Sequence, residues 1–448
     1  MLMKTPICDF VENYAREGSL RLHMPGHKGI PFLGVEERDI TEVEGADVLY
    51  GAEGIIAESE KYASELFGSG KTVYSTEGSS LCIRAMVSLI ALQAKNEGKR
   101  PLILAARNAH KAFMSALALV DCDVEWLYPE ESDSLISCRV TARAVEEKLT
   151  KMSEMPTAVY LTSPDYLGVT SDIENIAKLC HQKGILLAVD NAHGAYLRFL
   201  KESKHPLDLG ADICCDSAHK TLPVLTGGAY LHISKNAPTV FFEMAEQTMA
   251  LFASTSPSYL IMQSLDMANK YLAEGYAEKL CALVAKIDEL KIRLTERGYS
   301  LMGDEKLKLC FESKKYGYFG FEMAEFLLEK GIVCEFSDRD YLVMMFTPEI
   351  SADDIEKLSA ALLSLPRKSS INEKAPSVGC PERVMSVREA AFSPSVEFDV
   401  ENACGRVLAV ANVACPPAIP IVVCGEKIDE KAIECFKYYG IERCRVVK

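Results

Sequence analysis

Between residues 71 and 233 the chain repeats one pattern: a short run that is apolar at nearly every position, a polar or glycine-bearing turn, then a helical stretch. "KTVYST" precedes "SSLCIRAMVSLIALQAKNEG", "RPLILAA" precedes "AHKAFMSALALV", and "VEWLYP" precedes "RAVEEKLTKM". "TAVYLTSP" precedes "DIENIAKLCHQKG", and "ILLAVD", "ADICCDS" and "GGAYLHI" complete the series. A strand with one solvated face alternates apolar and polar residues; these runs do not, so both faces are covered. The pattern predicts an α/β fold with a parallel or mixed sheet carrying helices on both faces. In such sheets ligands gather at the carboxyl ends of the strands.

The flanking regions read differently. "TPICDFVENYAREG" has helical spacing and stops at Gly18, "SLRLHMPGHKGIPFLG" is a Gly/Pro/His-rich loop, and "GIIAESEKYASELFG" is an amphipathic helix ending at Gly68. Beyond residue 275 comes a long charged helix, "YAEKLCALVAKIDELKIRLTERG", followed by strand and helix pieces of an α+β domain. "PRKSSINEKAPSVGCPE" has the composition of an exposed linker. The expected division is an N-terminal segment (1–40), a large domain (41–275), a small α+β domain (276–370) and a C-terminal subdomain (381–448).

A chain of 448 residues exceeds one simple core, and two or three domains are expected. The net charge of −15 argues against nucleic acid and anionic membranes as partners. None of the 16 cysteines forms a CxxC pair, and the first residues carry charges throughout with no apolar core, so reduced thiols and a cytoplasmic location are expected. There is no HExxH and no paired Cys/His knuckle, so no metal site is expected. The most apolar long run, "VLAVANVACPPAIPIVVC", is broken by prolines at 416, 417 and 420 and does not read as a membrane helix.

The polar residues just after each strand carry the chemistry. "STEGSS" offers Gly78 and hydroxyls before a helix, which suits a phosphate; the plainer reading is that Ser79 or Ser80 caps that helix. Asp190 ends a very apolar strand, where a carboxylate is costly unless it meets a cation or hydrogen-bond donors. Its role is either a buried cap or ion pair, or the partner of a cationic ring nitrogen. His110 after "LILAARNA" is either a structural side chain or a ring that stacks on a cofactor. Lys220 stands in "DSAHKTLPVLTGG", beside His219 and close to Gly227 and Gly228. A partly desolvated lysine loses its proton readily and becomes a nucleophile for carbonyl groups. A phosphate cradle, a carboxylate, an imidazole and a Schiff-base lysine together describe a pyridoxal 5'-phosphate (PLP) site.

These residues stand in motifs that resemble the bacterial Orn/Lys/Arg decarboxylases, fold type I PLP enzymes of the aspartate-aminotransferase-like superfamily. The matches run in order: "RLHMPGHKG", "TEVEGADVLYGAEGII", "STEGSS", "ARNAHKAFMSAL", "SPDYLGVTSDI", "VDNAHGAYLRF", "DSAHKTLPVLTGGAYLHI", "STSPSYLIMQSLD", "SVREA", "GRVLA" and "CPPAIPIVVCGEKI". The resemblance implies a three-layer α/β/α, PLP-binding large domain with a mostly parallel sheet, a smaller α+β domain and a decarboxylase-type C-terminal subdomain. It implies that Lys220 bonds the cofactor, Asp190 pairs with its ring nitrogen, His110 stacks on one ring face and Ala192 lies near the other. Gly78, Ser79, Ser217 and His219 would hold the phosphate, and His193 would line the cavity. Ser254 and Thr255 would reach the site of a neighbouring subunit, implying a homodimer with shared active sites. The chain starts at the helix before HMPGHK, the pattern of a short form without an N-terminal wing domain.

The implied reaction is α-decarboxylation of arginine, lysine or ornithine, giving carbon dioxide and an amine on the route to polyamines. Lys220 or His219 would return a proton to Cα, and Glu426 or Asp165 would meet the substrate's distal cation. The chain departs from the family's pattern at Val387, Cys415, Ala418, Cys424, Asn191 (where Glu is frequent) and Glu77, and the choice among the three substrates stays open. Two other readings compete: an aminotransferase or other lyase of the same fold, for which Arg339 and Arg388 are available as carboxylate binders, and a non-catalytic PLP-binding relative.

Overall fold

The apolar runs become strands and the stretches between them helices in the computed structural model, which describes residues 3–128, 136–377, 379–410, 414–415 and 419–448. Pro129, Pro416, Pro417 and Ala418 lie outside the described residues. In chain order the elements are α1 (Pro6–Glu17), α2 (Ile55–Phe67), β1 (Lys71–Ser75), α3 (Ser79–Asn96), β2 (Leu102–Ala106), α4 (Lys111–Val120), β3 (Asp123–Leu127) and α5 (Ala142–Leu149). They continue with β4 (Ala158–Thr162), α6 (Ile173–Gln182), β5 (Leu186–Asp190), β6 (Ile213–Asp216), α7 (Ala218–Thr221), β7 (Ala229–Ile233), α8 (Thr239–Phe252), α9 (Tyr259–Ala273) and α10 (Tyr276–Arg297). The chain divides into two units, one of Met1–Leu102, Pro156–Tyr160 and Ile173–Glu278, the other of Ile103–Met155, Leu161–Asp172 and Lys279–Lys448.

The first unit carries strands in the order β1-β7-β6-β5-β4 within a large, mostly parallel sheet. β5 and β6 are parallel, with Asp190 opposite Cys215. β7 runs antiparallel to both β6 and β1, so β1, β5 and β6 point the same way and the sheet is mixed. All residues of β6 and β7 are buried, as their mostly apolar sequences imply, Asp216 and His232 included. Ser75, Asp190 and Asp216 therefore end their strands along one edge of the sheet, and the turns that follow carry the polar residues singled out above. The helices stop where the sequence says: Gly18 and Gly68 take the left-handed conformation (φ +66° and +70°) as C-caps of α1 and α2.

In the second unit, β8 (Leu301–Met302), β9 (Lys308–Glu312), α11 (Ser313–Tyr316), α12 (Gly320–Leu328), β10 (Phe336–Ser337), β11 (Tyr341–Met345) and α13 (Ala352–Ser364) follow α10. The strands form an antiparallel sheet in the order β10-β11-β9-β8. Then come α14 (Val387–Phe392), β12 (Ser395–Asp399), the short strands β13 (Ala414–Cys415) and β14 (Ile419–Pro420), α15 (Glu430–Tyr438) and β15 (Arg443–Val447), with β12 antiparallel to β15. Val343, Leu408, Val422, Phe436 and Val446 share one core here. The segment after α13 is mostly exposed and irregular, as its composition implies, but it is fastened where Lys314 Nζ donates to the Glu373 carbonyl at 3.0 Å. Among the described residues no helix is long and apolar enough to cross a membrane.

Candidate active site

The turn after β1 forms a cradle. Gly78 sits at φ +71° as the N-cap of α3, and no side chain caps the helix, so neither Ser79 nor Ser80 takes the cap position. A Cβ on Gly78 would meet nothing nearer than Ser80 N at 4.0 Å, so the dihedral, not crowding, calls for glycine. Its N–H donates to the Gly227 carbonyl at 2.7 Å, and Ser75 Oγ donates to the Gly78 carbonyl at 2.9 Å. Ser217, just past β6, donates its hydroxyl to Ser79 Oγ at 2.6 Å. Two hydroxyls from separate elements thus meet at the positive end of a long helix whose first turn has no side-chain cap, a donor set suited to an anion.

Asp190 ends β5 at 2% exposure. Its Oδ1 accepts the Ala192 N–H at 3.2 Å and the Cys215 thiol at 3.7 Å, and its Oδ2 accepts the Tyr160 hydroxyl at 3.4 Å. Burial pushes its carboxyl above the ordinary range, while the Lys220 ammonium and these donors pull the other way. A cationic N–H delivered to this carboxylate would restore its charge, the behaviour expected of a partner for a protonated ring nitrogen.

Lys220 lies on α7, the single turn after β6, and its Nζ stands 3.1 Å from His193 Nε2. His193 is buried three residues after Asp190. His219 Nδ1 lies 3.1 Å from the Gly228 carbonyl, which fixes that nitrogen as the donor, and burial lowers the imidazole's affinity for a proton. Gly78, Ser79, Asp190, Ala192, His193, Ser217, His219 and Lys220 all belong to the first unit.

The remaining expected residues have other surroundings. Ser254 and Thr255 are exposed between α8 and α9, and the Ser254 N–H donates to Glu77 Oε1 of its own chain at 2.6 Å. His110 lies in the second unit as the N-cap of α4, its Nδ1 accepting the Ala112 N–H at 3.1 Å. Both carboxylates weighed for the distal cation are engaged. Glu426 accepts the Val423 N–H at 2.7 Å and pairs with Arg107 at 3.2 Å; Asp165 accepts the Ser137 hydroxyl and the N–H groups of Leu167 and Val169. Arg339 holds Glu373 at 2.9 Å, and Arg388 donates to the Ala118 carbonyl at 2.8 Å, so neither is an idle carboxylate binder.

Sequence reasoning missed one cluster. Asp216 Oδ2 accepts from His205 Nε2 at 3.1 Å and lies 3.4 Å from His232 Nε2, while Oδ1 accepts the Asn191 amide at 2.7 Å. All three of Asp216, His205 and His232 are fully enclosed. The signals in the sequence were His232, a polar residue inside the otherwise apolar run "GGAYLHI", and Asp216, a carboxylate at the end of "ADICCD"; nothing linked either to His205.

An uncapped helix start with converging hydroxyls, a buried carboxylate and an amine beside an imidazole lie along one edge of a mixed sheet, and this set of groups fits the phosphate, ring nitrogen and carbonyl of PLP. Residues 5–298 match the family model "Orn/Lys/Arg decarboxylase, major domain", and the chain belongs to that family; it is an amino-acid decarboxylase, and the family implies PLP. An arginine decarboxylase of Bacillus subtilis is 28% identical over 461 residues, covering 96% of this chain and 92% of the relative. One from Halalkalibacterium halodurans is 28% identical, covering 95% and 91%. The fold matches a lysine decarboxylase of Francisella novicida (TM-score 0.81, 16% identity, 99% of this chain and 81% of that one) and the constitutive lysine decarboxylase of Escherichia coli (0.77, 18%, 99% and 82%).

Proposed function

We propose that this chain removes the α-carboxylate of a basic amino acid, with arginine the first candidate, using PLP held by Lys220, Asp190, Ser79, Ser217, Gly78 and His219. The observation that carries the reading is the arrangement along one sheet edge of the Lys220 amine, the buried Asp190 carboxylate and the paired Ser79 and Ser217 hydroxyls. Arginine leads because curated relatives spanning nearly the whole chain are arginine decarboxylases. When bound, PLP supplies a carbonyl for the substrate's amine and an electron sink for the pair released from the Cα–carboxylate bond.

The chain's own residues supply the rest. Asp190 would hold a proton at the ring nitrogen, since burial makes an unpaired carboxylate there unfavourable. Ser79, Ser217 and the start of α3 would anchor the phosphate and so fix the ring's orientation. Once the substrate's amine takes its place, Lys220 Nζ would be free to return a proton to Cα, and His193 Nε2 at 3.1 Å is placed to exchange that proton with it. His110 on a ring face, Ser254 and Thr255 in a partner's site, a homodimer, a role in polyamine formation and a cytoplasmic location belong to the same proposal and rest on the family resemblance.

The test is to offer the purified PLP-loaded protein L-arginine, L-lysine and L-ornithine separately and to identify the amine and carbon dioxide formed. Decarboxylation of arginine at the highest kcat/KM supports the reading. Keto-acid formation without carbon dioxide would replace it with transamination.

A further inference from the structure

Two buried carboxylates end neighbouring parallel strands, and their surroundings drive them apart in charge. Asp190 is raised by burial. Asp216 is as deeply enclosed, and burial alone would raise it too, yet His205 and His232 hold it well below the ordinary carboxylate range. It is thus a fixed negative charge one residue before Ser217. Its free oxygen, Oδ1, is taken by the Asn191 side-chain amide at 2.7 Å, one residue after Asp190. The Asn191 backbone N–H also donates to the Cys215 carbonyl at 3.0 Å. The two strand ends that carry the groups facing the ring nitrogen and the phosphate are therefore tied by one side-chain bond and one main-chain bond.

The sequence is adapted to that tie. A Cβ at Gly194 would stand 2.0 Å from Asn191 Oδ1, so glycine lets the turn close over the amide. A carboxylate at 191, frequent in the resembling family, would face Asp216 across a hydrogen-bond distance with no exposure to water, and two such groups cannot both ionise. Asparagine is the neutral donor that an anionic Asp216 requires. His232 is oriented in turn by Thr72 Oγ1, 2.8 Å from its Nδ1, and Phe67 packs on it at 4.4 Å between ring centroids.

We propose that Asp216 is a positioning residue that acts through Asn191, setting the separation between the ring-nitrogen partner Asp190 and the phosphate-binding Ser217. The inference rests on the PLP reading above. The histidines serve it by holding the carboxylate in place.

The test is a swap of the amide and the acid in the full-length protein: Asp216→Asn, Asn191→Asp and the double variant. In the double variant the amide placed at position 216 donates to the carboxylate placed at position 191, and its oxygen still accepts from His205, so every bond has a counterpart. PLP affinity by titration, the position of the bound cofactor's visible band and the thermal midpoint without PLP are read together. Each single variant is expected to weaken PLP binding about tenfold or more and to move the band, with the double variant within about threefold of the parent, a coupling typical of residues in direct contact. Single variants with the parent's affinity and band would overturn the role, as would a double variant no better than the product of the two losses. Where a single variant does not fold, a PLP-binding double variant is the expected rescue, and its failure overturns the role. A stoichiometric transition-metal ion in the purified protein, lost in Asp216→Asn, would overturn it by making the three side chains ligands. A parent chain that takes up no PLP overturns the site reading itself, and this role with it, a result separate from all of these.

Discussion

Lys220 Nζ stands 3.1 Å from His193 Nε2, so the amine proposed as the nucleophile faces an imidazole nitrogen. If His193 only lines the cavity, an apolar ring of similar size should serve as well. If it exchanges protons with Lys220, His193→Phe should still take up PLP and show its visible band, while amine formation at saturating substrate falls about 10²-fold. Lys220→Ala should lose both the band and the product. A His193→Phe enzyme with the parent's kcat would end the proton-exchange role without touching the rest of the site.

Gly227 tests the cradle. It holds φ +102°, its carbonyl takes the Gly78 N–H, and a Cβ there would stand 2.8 Å from the Thr76 carbonyl oxygen. Strain of this kind costs about 1–3 kcal/mol. Gly227→Ala should push the Thr76–Gly78 turn away and weaken PLP binding about tenfold or more, a factor that corresponds to ~1.4 kcal/mol. Titration of the apoprotein with PLP measures it; an unchanged affinity would mean that the turn does not serve the phosphate.

Much of this geometry could be read from the chain alone, for a physical reason. Strands such as "LLAVD" and "ICCD" are covered on both faces, so burial and sequence coincide, and a charged residue at the end of such a strand stands out. Asp190 was visible in that way, and Ser217 and Lys220 as part of the polar run that follows "ICCD". The Asp216 cluster was not, because its members sit on β6, on β7 and in the segment between β5 and β6; no periodicity links positions 205, 216 and 232. Glu426 and Asp165 show the converse. Each looked available for a substrate cation, but a carboxylate near a turn is also the commonest way to satisfy backbone N–H groups, and both do that here.

Asp266 also escaped a reading by local pattern, although it holds the chain's first helix. α1 has no side-chain cap of its own; Asp266, from α9, accepts the Ile7 and Cys8 N–H groups at 3.0 Å each and the Ser59 hydroxyl at 2.6 Å. Asp266→Ala leaves those buried donors without their acceptor and should destabilise the protein by about 2 kcal/mol. Thermal unfolding gives the loss, and limited proteolysis should show new cleavage near residues 6–17 before cleavage elsewhere. Equal loss of protection everywhere would argue against a local cap.

Glu60 supplies a pH dependence whose sign is fixed by its surroundings. It is buried on α2, with Oε1 accepting the Tyr74 N–H at 2.8 Å. Burial raises its carboxyl from 4.5 to about 8; that backbone donor and Lys71 oppose the rise, and Glu246 adds to it. In the unfolded chain the group ionises near 4.5, whereas the folded protein keeps its proton up to about 8. Between those values the folded state binds more protons than the unfolded one, so each rise in pH costs stability, and the contribution is gone once pH passes about 8. Glu60→Gln keeps the acceptor for Tyr74 and removes the titration. Its unfolding midpoint should therefore fall less steeply than the parent's between pH 5 and 8, the window set by the raised carboxyl. The two proteins should be most alike in the acid part of that range, and the variant should be the more stable at its alkaline end. Parallel midpoint curves across the window would show that Glu60 is ionised in the folded protein.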